Sequence, residues 1–159
     1  MSPRTHSLAG LVFFLLLGFA VSALGGAVTA SSVGTWYQGL AKPPFNPPDW
    51  IFAPVWSALF VLMSLAAWRV WKIGGMGGAL WELGMYAIQL ALNLGWSVLF
   101  FGLRRPGWAL VELIFLLAAI LVTLAMFWRR DRLAGGLFVL YAAWVAFAVV
   151  LNSAIWWLN

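Results

Sequence analysis

Two carboxamides one helical turn apart, Gln89 and Asn93, sit inside an apolar run. In hydrocarbon an amide without a partner costs several kcal/mol, so such groups must bond to something. Glu82, Gln89, Asn93 and Trp96 project from one side of that run. A second set at helical spacing is Tyr141, Trp144, Ala148 and Asn152, and Trp56 and Phe60 stand one turn apart in another run. Rings and amides from three segments could line one shared cavity suited to binding and not to covalent chemistry. The plainer alternative is that the amides bond across helices and the tryptophans mark membrane interfaces. Trp50, Trp71, Trp108, Trp128, Trp156 and Trp157 fit that description, whereas Trp56, Trp96 and Trp144 lie away from most segment ends.

Other chemistry is scarce. With no cysteine and one histidine, His6 near the start, the chain offers no disulfide, thiol nucleophile, zinc or iron–sulfur site, and no inward imidazole for acid–base work. Glu82 and Glu112 each fall near the start of an apolar run, at interfacial depth, without a second carboxylate at helical spacing, which argues against a proton relay. No obligatory cofactor and no metal site is expected. Nine Lys+Arg against four Asp+Glu make the chain basic, but these charges cap apolar runs instead of forming a stripe, so they read as topology signals and not as a nucleic-acid surface.

The elements that must carry these residues follow from hydropathy. At 65% hydrophobic residues, 8% charged residues and a mean hydropathy of +0.99, a chain of 159 residues cannot hide its apolar surface in a soluble core. It reads as all-α, an integral membrane bundle in one domain, with five spans at about 8–30, 50–71, 79–103, 106–128 and 133–158. The first run has the basic start and small-residue end of a secretory signal peptide, but its spanning length favours a retained helix. Its Gly18, Ser22 and Gly26 place small side chains on one face for close packing. Gly74 to Gly78 and Arg129 to Arg132 read as turns, and Pro106 as a helix start. Residues 31–49 stand apart: Pro43, Pro44, Pro47 and Pro48 remove backbone donors and fix φ, so this loop is ordered and neither helical nor spanning, suited to a lid.

On the third span Gly84, Ala87, Ala91 and Gly95 form a small-residue face opposite the amides. It suits close approach of another helix, either within the protomer or from a second copy. Arg4, Arg69, Lys72, Arg129, Arg130 and Arg132 fall on one side of the membrane and outnumber Lys42, Arg104 and Arg105 on the other. The positive-inside rule therefore puts the N-terminus in the cytoplasm and the proline-rich loop outside, in a bacterium the periplasmic face of the inner membrane. Val33, Tyr37 and Lys42 satisfy a loose cholesterol-recognition pattern that is easily matched by chance.

In combination, Trp36-Tyr37-x2-Leu40-x-Lys42-Pro43-x3-Pro47-Pro48, Trp56, Gln89-x3-Asn93 and Trp144-x3-Ala148-x3-Asn152 resemble the tryptophan-rich sensory protein and translocator protein family, the TspO/MBR or peripheral benzodiazepine receptor proteins, over nearly the whole chain. The resemblance implies a five-helix bundle that forms a homodimer in the lipid bilayer and binds porphyrin, above all protoporphyrin IX, and sterol-like, isoquinoline or benzodiazepine-type ligands. It implies a pocket under the first loop lined by Tyr37, Pro47, Trp56, Phe60, Asn93, Trp96, Trp144, Ala148 and Asn152, to which the amide face adds Gln89; a porphyrin there would set its propionates near Lys42 or Arg104. It suggests a regulatory role in tetrapyrrole metabolism or stress, with transport of the ligand as an alternative. Some members are proposed to degrade porphyrin in light, which would make Trp56 and Trp144 the catalytic residues. The sterol element that vertebrate members carry after the fifth span needs a tyrosine and a basic residue, and Leu151 to Asn159 contains neither, as suits a bacterial member.

Overall fold

A backbone crossing hydrocarbon must bond to itself, so long apolar runs become helices, and their ends fall where glycine, proline and charge permit a turn. The structure, a computed structural model, describes residues 3–159. It contains α1 (Pro3–Val33), α2 (Phe52–Gly78), α3 (Leu80–Ser97), α4 (Pro106–Arg130) and α5 (Arg132–Leu158), and no strand among the described residues. Five stretches are long and apolar enough to cross a membrane: Arg4–Val33, Asp49–Gly78, Leu80–Gly102, Pro106–Arg130 and Arg132–Leu158. The chain is thus an all-α bundle of five potential spans, as its hydropathy indicates.

The helices form a closed ring in which α1 packs on α2, α2 on α5, α5 on α4, α4 on α3, and α3 on α1. Close approach of α1 and α2 depends on absent side chains. A Cβ at Gly10 would lie 2.1 Å from the Trp71 ring, and one at Gly18 would lie 2.5 Å from Ser64 Oγ. In the half of the bundle away from the proline-rich loop the ring is filled solid by a large cluster that includes Met63, Val70, Tyr86, Phe127 and Phe138. A smaller cluster of Tyr37, Phe100, Phe101, Ala109, Leu151 and Ile155 lies under the loop.

Two local features depart from simple helices. The expected glycine turn shows as a break at Gly75, with φ 62° and ψ −171°, a conformation that a side chain would strain. At the other end of the bundle α3 widens into a π-helical turn, Val98–Gly102, where Leu103 N bonds to Val98 O (2.7 Å) and Arg105 N to Leu99 O (2.9 Å). The wide turn lets two consecutive rings, Phe100 and Phe101, both be buried, where a regular helix rotates neighbours apart.

The basic end is laced by ion pairs. Arg130 Nε bonds to Glu82 Oε1 (2.6 Å) and its guanidinium also donates to the Gly78 carbonyl, while Arg69 Nε bonds to Asp131 Oδ2 (2.7 Å). Asp131 also caps α5 by accepting from Leu133 N (2.9 Å) and Ala134 N (3.4 Å). Burial alone would raise its carboxyl, but Arg69 and the two amides outweigh that and hold it below the usual carboxylate range. A group lowered in this way adds stability that is complete above its unfolded value of about 3.9 and is lost as pH falls through the lower folded value. Asp131→Ala should therefore cost about 1 kcal/mol at pH 7. Thermal midpoints of the wild type and variant should converge as pH falls from about 5 through the lowered folded value; a gap of constant size would refute the assignment.

Candidate ligand cavity

Where the solid half of the bundle ends, the helices border a partly open cavity of about 420 Å³ beneath the loop, within the range of small-molecule sites. Its walls come from helical repeats: Trp56 and Phe60 on α2, Asn93 and Trp96 on α3, and Trp144, Ala148 and Asn152 on α5 all line it, and Tyr37 closes it from above. The rings form two groups. Trp56 and Trp96 are stacked at 6.5 Å and 29°, and Trp96 stacks in turn on Phe100 at 5.4 Å. Opposite in sequence, Trp144 meets Phe52 edge-on at 6.0 Å and Phe147 at 5.6 Å.

The amides hold these rings. Trp96 Nε1 donates to Asn152 Oδ1 (3.1 Å), and Asn152 Nδ2 donates to the Pro106 carbonyl (2.8 Å), tying α3, α5 and the start of α4 together. Asn93 Nδ2 donates to the Tyr141 hydroxyl (2.8 Å), and its Oδ1 makes no further bond among the described residues. Asn152 thus orients an indole, whereas Asn93 keeps an acceptor for a guest.

The lid is a network of short links. Two turns of 3₁₀ helix, Trp36–Gly39 and Asp49–Ile51, bracket the prolines and are joined by Gln38 Nε2 donating to Asp49 Oδ2 (2.7 Å). Tyr37 donates its hydroxyl to Asn46 Oδ1 (3.2 Å), and Lys42 Nζ lies 4.5 Å from the centre of the Tyr37 ring. Burial, then the Asp49 charge, raise the Tyr37 phenol above its ordinary value against the lowering effect of Asn46, so it remains a donor at neutral pH. Asn159 latches the loop to α5: Ala41 N donates to its Oδ1 and its Nδ2 donates to Ala41 O, both at 3.0 Å. With about 1 kcal/mol for the exposed pair, Asn159→Ala should speed deuterium exchange at the Ala41 amide roughly fivefold. Unchanged exchange would mean that the latch holds nothing.

Several expected site residues lie elsewhere. Pro47 does not line the cavity; its carbonyl accepts from Asn46 Nδ2 (3.0 Å) and so helps set the partner of Tyr37. Gln89 is fully buried outside the cavity, with neither amide atom bonded among the described residues. One turn of helix, about 5.4 Å, separates it from Asn93 along the axis and takes it past the floor into the packed half. Arg104 lines a separate outer groove.

The small-residue face of α3 also divides. Ala87 and Ala91 are exposed and a Cβ at Gly84 would meet nothing within 4 Å, but Gly95 is occupied within the protomer by Glu112, whose Oε1 would lie 3.3 Å from a Cβ there. Both Glu112 oxygens are buried without a bonding partner among the described residues, so this carboxyl is turned into the bundle.

The α1 wall is not apparent from the sequence. Gly18 packs as expected, but Ser22, Gly25, Gly26 and Thr29 border the cavity. The signal was present in the small residues themselves, which leave space as readily as they admit a neighbour. Phe100 and Phe101 were hidden because the π turn has no sequence signature.

A family model described as the TspO/MBR family matches residues 13–158. The chain is 42% identical over 147 residues to the translocator protein of Sus scrofa, covering 88% of this chain and 87% of that protein. It is 38% identical over 151 residues to protein CrtK of Rhodobacter capsulatus, covering 94% of each. It is equally 38% identical over 151 residues to the tryptophan-rich protein TspO of Archaeoglobus fulgidus, covering 95% of each.

Proposed function

The chain belongs to the TspO/MBR family of membrane proteins, and from that premise we propose that it is a receptor-like protein binding a flat tetrapyrrole, protoporphyrin IX, in the cavity beneath its first loop. The observation that carries this reading is the convergence of Trp56, Trp96 and Trp144 on one cavity. Indole faces supply most of the affinity for a macrocycle, and the Asn93 carbonyl supplies an edge contact. Lys42, held at the rim over Tyr37, is the cation for a propionate. No imidazole or thiol lines the cavity, and His6 stacks on Trp71 at the opposite end of α2, so iron gains no axial ligand. Metal-free porphyrin should therefore bind at least as tightly as haem.

In this reading the protein lies in a bacterial inner membrane with its N-terminus cytoplasmic and the lid periplasmic, and it regulates tetrapyrrole metabolism or a stress response. Ala87 and Ala91, with Gly84, form the α3 face for a second copy; Gly95 is excluded by Glu112. Isoquinoline, benzodiazepine-type and sterol-like molecules would compete for the same cavity.

The test is a titration of the purified protein in detergent with protoporphyrin, haem and a sterol. Saturable quenching of tryptophan fluorescence by protoporphyrin is expected, and its absence would end the receptor reading. A second reading, light-dependent breakdown of the porphyrin, is favoured by the position of both Trp56 and Trp144 in the cavity wall. It requires Trp56→Phe with Trp144→Phe to abolish light-dependent porphyrin loss while binding persists.

A further inference from the structure

On the outside of the bundle a groove of about 860 Å³ runs between the lid, the start of α4 and the end of α5. It shares no lining residue with the central cavity. We propose that this groove is a binding site for an anionic phospholipid drawn from the loop-side leaflet, with the phosphate at Arg104 and Arg105 and an acyl chain along α4.

Charge identifies one end of the guest. Both arginines are exposed and line the groove, and neither has an acidic partner among the described residues. The acidic side chains lie elsewhere: Asp49 is bonded to Gln38, Asp131 to Arg69 and Glu82 to Arg130, and Glu112 is buried beside Gly95. Arg104 also has φ 56°, and it is the one non-glycine residue with positive φ among those described. Glycine or asparagine would take that conformation at lower cost, so a cation stands at this point of the turn despite a conformational penalty.

The other end of the guest is apolar. Below the arginines the groove continues over Val111 and Ile114, both exposed on α4, and Ile114 lies about 12 Å along the helix from Pro106. Trp108 and Trp156, 67% and 53% exposed, flank the entrance at the level where indoles meet headgroups. The base is tight against backbone, since a Cβ at Gly107 would lie 2.8 Å from Trp156 Nε1. Paired cations above a hydrocarbon-depth channel match a phosphate joined to an acyl chain, and not a small anion or a neutral sterol. Trp36, Leu40 and Asn159 also border the groove, so an occupant touches the outer edge of the lid.

The experiment uses the full chain in detergent with dioleoylphosphatidylglycerol, dioleoylphosphatidylcholine or inorganic phosphate, read by native mass spectrometry and thermal unfolding. Phosphatidylglycerol adducts should exceed phosphatidylcholine adducts by at least about fivefold, and only phosphatidylglycerol should raise the midpoint. In Arg104→Gly with Arg105→Gln the preference should fall below about twofold. Because glycine relieves the positive φ, this variant should fold with an undiminished lipid-free midpoint, and its protoporphyrin affinity should be unchanged. Equal adducts in the wild type, a preserved preference in the variant, or an equal midpoint rise with inorganic phosphate would each overturn the assignment. The outcome does not depend on which ligand the central cavity takes.

Discussion

Trp144→Ala is expected to weaken protoporphyrin binding by about thirtyfold, equivalent to about 2 kcal/mol. The indole borders the cavity from α5 and is fixed by its edge contact with Phe52 and by Phe147, so it meets a guest without ordering a free side chain first. Removing it takes away a stacking face and admits water or lipid to the opposite wall. It leaves intact the Trp96–Asn152–Pro106 chain that ties the helices together, so the fold should survive. Trp157, 85% exposed, is the control: its alanine variant should bind as the wild type does. Fluorescence titration in detergent gives both constants, and a Trp144→Ala affinity within threefold of the wild type, by order of magnitude indistinguishable from a rim contact, would move the ligand out of this cavity.

The largest expected loss of stability comes from the tight corner between α4 and α5. A Cβ at Gly135 would lie 2.7 Å from both Cα and Cβ of Trp128, so even alanine requires one helix backbone to move, and leucine requires more. Gly135→Leu should destabilise the protein by about 3 kcal/mol or more, a fall in thermal midpoint of roughly 10 °C for a chain of this size. Gly136, the next residue on the same helix, has nothing within 4 Å of its hypothetical Cβ. There alanine should be neutral or slightly stabilising, because it improves helix propensity by up to about 1 kcal/mol. Equal midpoints for the two variants would show that the corner relaxes freely.

Much of the lining of the candidate cavity was legible before any tertiary contact was known, because each feature rested on a local rule. Prolines 43, 44, 47 and 48 cannot sit in a helix, so the lid had to be a loop. The helical repeat put Trp56 with Phe60, Asn93 with Trp96, and Trp144 with Ala148 and Asn152 on single faces, and the structure turns those faces to one cavity. Gln89 shares the face of Asn93, yet depth along the axis separates them; periodicity gives an angle and says nothing of where a cavity stops.

The sequence by itself determined that this chain crosses a membrane as helices, where the helices turn, and which side chains share a face, since hydropathy, proline chemistry and the 3.6-residue repeat act within a segment. Only the tertiary structure decided the ring order of the helices, the α1 wall, the π turn that buries Phe100 and Phe101, and the loss of Gly95 to Glu112. The reason is the solvent. Lipid is as apolar as the bundle interior, so hydrophobicity does not distinguish an inward face from an outward one, and the choice falls to shape: which small residues meet a ring, and which are left facing space.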